Sequence, residues 1–211
     1  MARKQRNIRN ISGQGSPSPQ RDPAAAPRII GGVLGGRKLI YTPRAEQTRP
    51  MKDRVREAVF NLVGPDVVGK HAIDLFAGTG ALGFEAISRG AASATLIEQH
   101  FPTAAVIRQN AAQLGIADRV QVLPANAFLW AQQPTAGTEP PWVVFCSPPY
   151  AFYIERREAM LSLVNELLSR SPASSIMVVE YDRRFDASQL PDAAEWDVRE
   201  YPPAMVAIFR K

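Results

Sequence analysis

HAIDLFAGTGALGFE, residues 71–85, decides the fold. HAIDLF is largely apolar and reads as a buried strand; from Ala81, ALGFEAISRG reads as a helix. Between them lie Gly78 and Gly80, with Gly83 three residues on, so the turn spells G-x-G-x-x-G. Glycine accepts positive φ and, having no Cβ, lets backbone approach a ligand or a strand closely. A strand that passes through such a loop into a helix opens a βαβ unit, whose ligand sits beyond the strand's carboxyl end.

Outward from this stretch the pattern repeats. SATLIE, RVQVLP, WVVFCS and SSIMVVEY read as strands, and PTAAVIRQNAAQLG, ANAFLWAQQ and YIERREAMLSLVNELLSR as helices between them. The alternation predicts a Rossmann-like α/β domain, a mostly parallel sheet with helices on both faces. EWDVREYP and AMVAIFRK, joined by Pro202-Pro203, complete a seven-stranded sheet as an edge hairpin. Upstream, RPMKDRVREAVFNLVG predicts a helix with Pro50 in its first turn and Val55, Ala58, Val59 and Leu62 on its apolar face. RIIGGVLGGRKLIYTP, from residue 28, predicts a β-hairpin turning at Gly35-Gly36. The expected organisation is a disordered basic tail over 1–26, a hairpin extension over 27–49, and a domain over 50–211 with a loop at 135–141.

Composition narrows the function classes. The chain has 211 residues, 45% of them hydrophobic, enough for a full core. No apolar run approaches the roughly 20 residues of a membrane helix, and MARKQRNIRN has no apolar segment of a secretory signal. The single cysteine, Cys146, excludes an intrachain disulfide and a cysteine zinc site and fits a reducing, cytoplasmic setting. His71 and His100 have no metal-ligand partner at suitable spacing, so no metal is expected. Trp130, Trp142 and Trp196 read as core residues, and nothing resembles a coiled coil, so a monomer is expected. The net charge of +5 is unevenly spread: residues 1–60 carry a balance of +9 and residues 61–211 a balance of −4. Such asymmetry points to a polyanion, most often nucleic acid.

The glycine loop alone suggests a dinucleotide, hence a nicotinamide-dependent oxidoreductase. Asp74, four residues before Gly78, argues against it: a carboxylate there repels a pyrophosphate and welcomes a ligand with an ammonium group. S-adenosylmethionine has an ammonium, a sulfonium and a ribose, and no phosphate. Glu98, 20 residues after Gly78 at the end of the next strand, suits both ribose hydroxyls. Asn126 suits either the adenine edge or a helix N-cap.

DLFAGTG, Glu98, Asn126-Ala127 and Ser147-Pro-Pro-Tyr150 together resemble a class I S-adenosylmethionine-dependent methyltransferase. RIIGG with GRKL, RPMKDRVREAVFN and DLFAGTGALGFEAISRGA are similar to one family, RsmD, bacterial methyltransferases of guanine N2 in small-subunit ribosomal RNA; the likeness runs from about residue 28 to the C-terminus. It implies a cofactor site of Asp74, Phe76, Ala77, Gly78, Gly80, Glu98, Asn126 and Ala127, and a partner in ribosomal RNA within a small-subunit particle. It also implies that the RPMKDRVRE segment helps close the cofactor pocket and meets RNA. Arg28, Arg37, Lys38, Arg49 and Lys52 are the expected RNA contacts. Asp53, Arg54, Arg56 and Glu57 also fit a merely solvated helix face.

FCSPPYAFY, residues 145–153, carries the expected chemistry. The lone pair of an exocyclic amino group is delocalised into its base, and acceptors placed on its N–H bonds help it attack a methyl sulfonium as positive charge develops. The Ser147 oxygen and the Pro148 carbonyl are candidate acceptors; Pro148 and Pro149 hold the turn rigid. Tyr150 offers a face for a flipped base, worth roughly 1–3 kcal/mol, and Phe152 and Tyr153 are expected to frame the pocket. Ser147 departs from the family pattern, which has Asp or Asn there. That departure keeps two alternatives open: a cytosine-N4 or adenine-N6 methyltransferase on RNA or DNA, and an RNA-binding assembly protein with a relict pocket.

Overall fold

A computed structural model describes residues 26–41, 51–133 and 140–211. The expected basic tail up to residue 25, Arg49, Pro50 and most of the 135–141 loop lie outside these residues. Seven strands form one sheet: β1 (His71–Asp74), β2 (Ser93–Ile97), β3 (Val120–Leu123), β4 (Trp142–Cys146), β5 (Ile176–Asp182), β6 (Asp197–Tyr201) and β7 (Ala204–Arg210). Their order is β3-β2-β1-β4-β5-β7-β6. β1 to β5 pair in parallel, and β7 and β6 add antiparallel at one edge. The α-helices among the described residues are α1 (Asp53–Val63), α2 (Ala81–Ser88), α3 (Phe101–Leu114), α4 (Ala127–Ala131), α5 (Phe152–Glu155) and α6 (Arg157–Arg170).

Strand alternation sorts the core into two layers. Ala72, Val143, Phe145, Ile176 and Val178 meet α1, α2 and α3 on one face. Ile73, Val144, Cys146, Met177 and Val179 meet α4, α5 and α6 on the other. A parallel sheet covered on both sides needs runs apolar at every position, and β4 is buried throughout. The order in which the chain adds strands reverses between β1 and β4, and the crevice beyond their carboxyl ends is where such folds place a ligand.

The segment read as a hairpin is pinned to this body. Arg28 and Lys38 form a single antiparallel bridge, closed by Ile29 N donating to the Arg37 carbonyl at 2.9 Å; among the described residues neither arm extends into a regular strand. Its turn uses a 3-10 segment, Gly32–Leu34, and Gly36 at φ 83°. Glu85 of α2 accepts from Ile30 N at 2.7 Å and Gly31 N at 2.8 Å, and Ser88 Oγ accepts from Leu34 N at 2.9 Å. Asn110 of α3 pairs with Ile40 as a strand neighbour would, accepting from its N at 2.7 Å and donating to its carbonyl at 3.0 Å.

α1 corrects the sequence reading at two points. It starts at Asp53, with Lys52 at the cap, and its buried face is Val55, Arg56, Val59, Phe60 and Val63; Ala58 and Leu62 are half-buried. Arg56 is not on a solvated face: it is fully buried, its Nη2 donating to the Arg28 carbonyl at 2.5 Å and to Asp53 at 3.0 Å, its Nε 3.8 Å from Glu85.

Candidate active site

The chain leaves β1 at Asp74 and turns through a loop in which Gly78 (φ 52°) and Gly80 (φ 78°) are left-handed. Ala77 N donates to the Ile97 carbonyl at 2.9 Å and Gly80 N to the Ala77 carbonyl at 2.7 Å, which fixes the turn against β2. Gly83 serves packing: a Cβ there would lie 2.7 Å from Leu96. Phe76, half-buried, joins Phe128 and Phe152 in an aromatic cluster with centroids 6.0–6.2 Å apart.

Two carboxylates surround this loop. Asp74 is 1% exposed; its Oδ2 accepts from Gly83 N at 3.4 Å, and its Oδ1 has no partner among the described residues. Burial lifts its pKa from 3.8 to about 7, opposed by the Gly83 hydrogen bond and helped by the charge of Glu98. Glu98 follows β2 and accepts from Gly78 N at 3.0 Å and His100 N at 2.8 Å. The amides of Ala77, Gly78, Gly80 and Gly83 are therefore engaged and the nearest charges are negative, so a pyrophosphate would be repelled. A ligand that brings a cation toward Asp74 and hydroxyl donors toward Glu98 fits.

The remaining predicted residues divide. Asn126 is an N-cap: its Oδ1 accepts from Phe128 N and Leu129 N of α4, so only its amide nitrogen is left to face a ligand. Ala127, the first residue of α4, and Ala77 are buried. His100 caps α3 through Thr103, and His71 lies between Ser93 and Thr95. Cys146 is buried and its thiol is pushed up to about 12, chiefly by that burial, so it is no nucleophile. Among the described residues no group of His, Cys, Asp and Glu could hold a metal. Trp142 and Trp196 are buried, Trp130 half-buried.

Ser147 and Tyr150 meet at a residue the sequence reading missed. Cys146 of β4 pairs with Val179 of β5, so the next residues, Ser147 and Glu180, stand side by side where β4 ends. The Ser147 hydroxyl donates to Glu180 Oε2, and the Tyr150 hydroxyl donates to Oε1 at 2.6 Å. Glu180 is 5% exposed, and burial raises its pKa against those two hydrogen bonds. The Pro149 carbonyl accepts from Phe152 N at 2.9 Å, in the turn that leads into α5. Tyr153 corrects an expectation: it is 1% exposed, packed on Tyr181 and Phe185 in the core, and frames no pocket. The signal for Glu180 was a lone carboxylate inside the apolar run SSIMVVEY.

Arg28, Arg37, Lys38 and Lys52 are exposed, and Arg28 pairs with Asp53 at 3.2 Å. Gly31–Leu34 is anchored at Glu85 and Ser88 of α2, which runs away from the strand ends. At 1.5 Å per residue Ser88 lies about 12 Å down the helix from Gly80.

A model of the family described as conserved hypothetical protein 95 matches residues 27–210. The chain belongs to this family, that of RsmD. Ribosomal RNA small subunit methyltransferase D of Escherichia coli (strain K12) is 45% identical over 123 residues, 58% of this chain and 60% of that protein. The chain thus aligns with less than two thirds of that relative's length. The putative rRNA methyltransferase YlbH of Bacillus subtilis (strain 168) is 31% identical over 186 residues, 87% of this chain and 98% of YlbH. Among solved structures, the putative methyltransferase yhhF from Escherichia coli superposes with a TM-score of 0.71 at 32% identity, covering 88% of this RsmD-family chain and 98% of that one.

Proposed function

We propose that this RsmD-family chain transfers a methyl group from S-adenosylmethionine to the exocyclic N2 of a guanine in small-subunit ribosomal RNA. One observation carries the reading: the loop ringed by Asp74 and Glu98 and the Ser147-Pro-Pro-Tyr150 turn leave adjacent strands at the same crevice. S-adenosylmethionine supplies the electrophilic methyl when bound. The loop, Asp74 and Glu98 hold it, with the Asn126 amide nitrogen and the Phe76 and Phe128 rings beside its base. Tyr150, anchored through its hydroxyl, presents its ring to a flipped guanine, and the Ser147 oxygen accepts from the amino group. Arg28, Arg37, Lys38, Arg49 and Lys52 hold phosphates. Arg37 and Lys38, on the lowered extension, reach RNA flanking the target rather than the target itself. The protein works as a cytoplasmic monomer. No helix among the described residues is long and apolar enough to cross a membrane.

Incubating the protein with labelled S-adenosylmethionine and unmethylated small ribosomal subunits is expected to label the RNA, with N2-methylguanosine found by nucleoside mass spectrometry. Label on cytosine N4 or adenine N6 replaces the target and keeps the chemistry, a reading that the neutral Ser147 favours. Cofactor binding without transfer to any RNA leaves an assembly protein.

The loop glycines separate binding from folding. A Cβ at Gly78 meets nothing nearer than the Phe76 carbonyl oxygen at 3.9 Å, so it projects into open space over the loop; one at Gly80 lies 2.7 Å from the Phe84 ring and 3.1 Å from Ile107. Gly78→Ala should lose about 1–2 kcal/mol of stability and at least about tenfold in cofactor affinity, a steric effect of filling the ligand's space. Gly80→Ala adds the clash and should lose about 2–4 kcal/mol. Urea unfolding and titration calorimetry read the two effects; equal stability losses would remove the distinction.

A further inference from the structure

Glu180 is a buried carboxylate with no lysine or arginine paired to it among the described residues. Its two oxygens are held only by neutral hydroxyls, Ser147 and Tyr150. An unpaired buried charge is costly, and structural reasons for keeping one usually include a cation. Here its place is in β5 just past the end of the β4 ladder, beside the residue assigned to the reacting amino group. The other titratable groups near it are the hydroxyl of Tyr153 in the core after β4 and Asp182 of its own strand, which faces Tyr150; Val206 opposite it on β7 is apolar.

Resting on the reading above, we propose that Glu180 is the proton acceptor of the site and acts through Ser147. The amino nitrogen attacks the methyl carbon; the N–C bond forms, the C–S bond breaks, and sulfur keeps the electron pair. The nitrogen then carries a positive charge and a surplus proton. Serine alone is too weak a base to take it, but the Ser147 oxygen can receive the proton while its own passes to Glu180. The carboxylate ends neutral, and its proton leaves to solvent after product departs. Glu180 thereby gives a neutral hydroxyl the function of an acid's anion, and Tyr150 ties the same carboxylate to the stacking ring. Glu180 is a positioning and relay residue; the group that touches the base is Ser147.

The test is single-turnover methylation of small ribosomal subunits across pH 5.5–9, roughly the range in which carboxyls lifted by burial titrate, at saturating cofactor. Wild type, Glu180→Gln, Ser147→Ala and the double variant are compared, with cofactor affinity by calorimetry. Wild type should gain rate as pH rises, then level. Glu180→Gln should be slower by about 100-fold or more with that rise abolished, the double variant no slower than the worse single one, and calorimetric affinity unchanged throughout. A Glu180→Gln protein that keeps its rate and its pH rise overturns the relay while the methyltransferase reading stands. If Glu180→Gln does not fold, Ser147→Ala decides: it cuts the relay, and retention of the pH rise overturns the proposal. A wild type that transfers nothing to any RNA overturns both.

Discussion

Asp74→Asn should bind S-adenosylmethionine about 10- to 100-fold more weakly and yet unfold at a higher temperature than wild type at pH 8. Both halves follow from one buried charge. The ionised carboxylate sits 1% exposed beneath the glycine loop, with Oδ1 unpartnered among the described residues. Removing a charge that faces a cationic ligand forfeits a charge-assisted contact of about 1.5–3 kcal/mol. Stability moves the other way. The folded pKa, about 7, is raised above the ordinary 3.8, so the protein gains from holding this proton at low pH and loses that gain as pH rises through about 7. Above that point the folded state bears an ionised group it disfavours, by up to roughly 4 kcal/mol. Asparagine keeps the acceptor for Gly83 N and cannot ionise. The variant should therefore be more stable than wild type at pH 8 and no more stable at pH 4. Wild-type cofactor affinity should also strengthen as pH rises through about 7, and the Asn variant should lack that dependence. Thermal unfolding at the two pH values and calorimetry across the range check this; an Asn variant that binds as wild type removes Asp74 from the cofactor site.

The parallel half of the sheet was legible because doubly covered strands must be apolar almost throughout, so each of β1, β2, β4 and β5 stands out as a short run between helix-like segments. The edge pair was legible for a different reason: polar, exposed DVREY next to apolar AMVAIF marks an outer strand against an inner one. α1 was misjudged because arginine counts as polar in any periodicity. Its burial depends on Glu85, 29 residues away, and nothing local announces that partner. Glycine conformations at the loop followed from spacing. The role of Asn126 stayed open until the chain showed its oxygen committed to α4. Glu180 stood out as a lone carboxylate in an apolar run, but its place in the site was out of reach for a topological reason: it becomes the neighbour of Ser147 only through the register of β4 on β5, a pairing between residues 33 apart.

The largest stability loss is expected at Glu85. Glu85→Ala should cost about 3–5 kcal/mol, the usual consequence of stranding one half of a buried charge cluster. Glu85 is fully buried and accepts from Ile30 N, Gly31 N and Arg89 Nε at 2.7–2.8 Å, with Arg56 Nε at 3.8 Å. Its loss leaves Arg56 buried with only the half-exposed Asp53 as counter-charge and two backbone amides without acceptors. At about 2–4 °C per kcal/mol for a domain of this size, the melting temperature should fall by about 6–20 °C. Two costs are mixed in that figure, and a double variant separates them. Replacing a whole buried ion pair by apolar residues is often close to neutral, so Arg56→Met with Glu85→Leu should recover the stranded-charge part. What remains should be the two orphaned amides and the part-exposed Arg89, whose Nε also loses its acceptor, together at least about 2 kcal/mol, with faster hydrogen exchange at Ile30 and Gly31 and release of the extension that carries Arg37 and Lys38. RNA affinity should then drop in the double variant while cofactor affinity holds, because the glycine loop keeps its own bonds to Ile97 and Glu98. A Glu85→Ala protein within about 1 kcal/mol of wild type, with Ile30 and Gly31 still protected, would mean the extension is held by Ser88 and Asn110 alone.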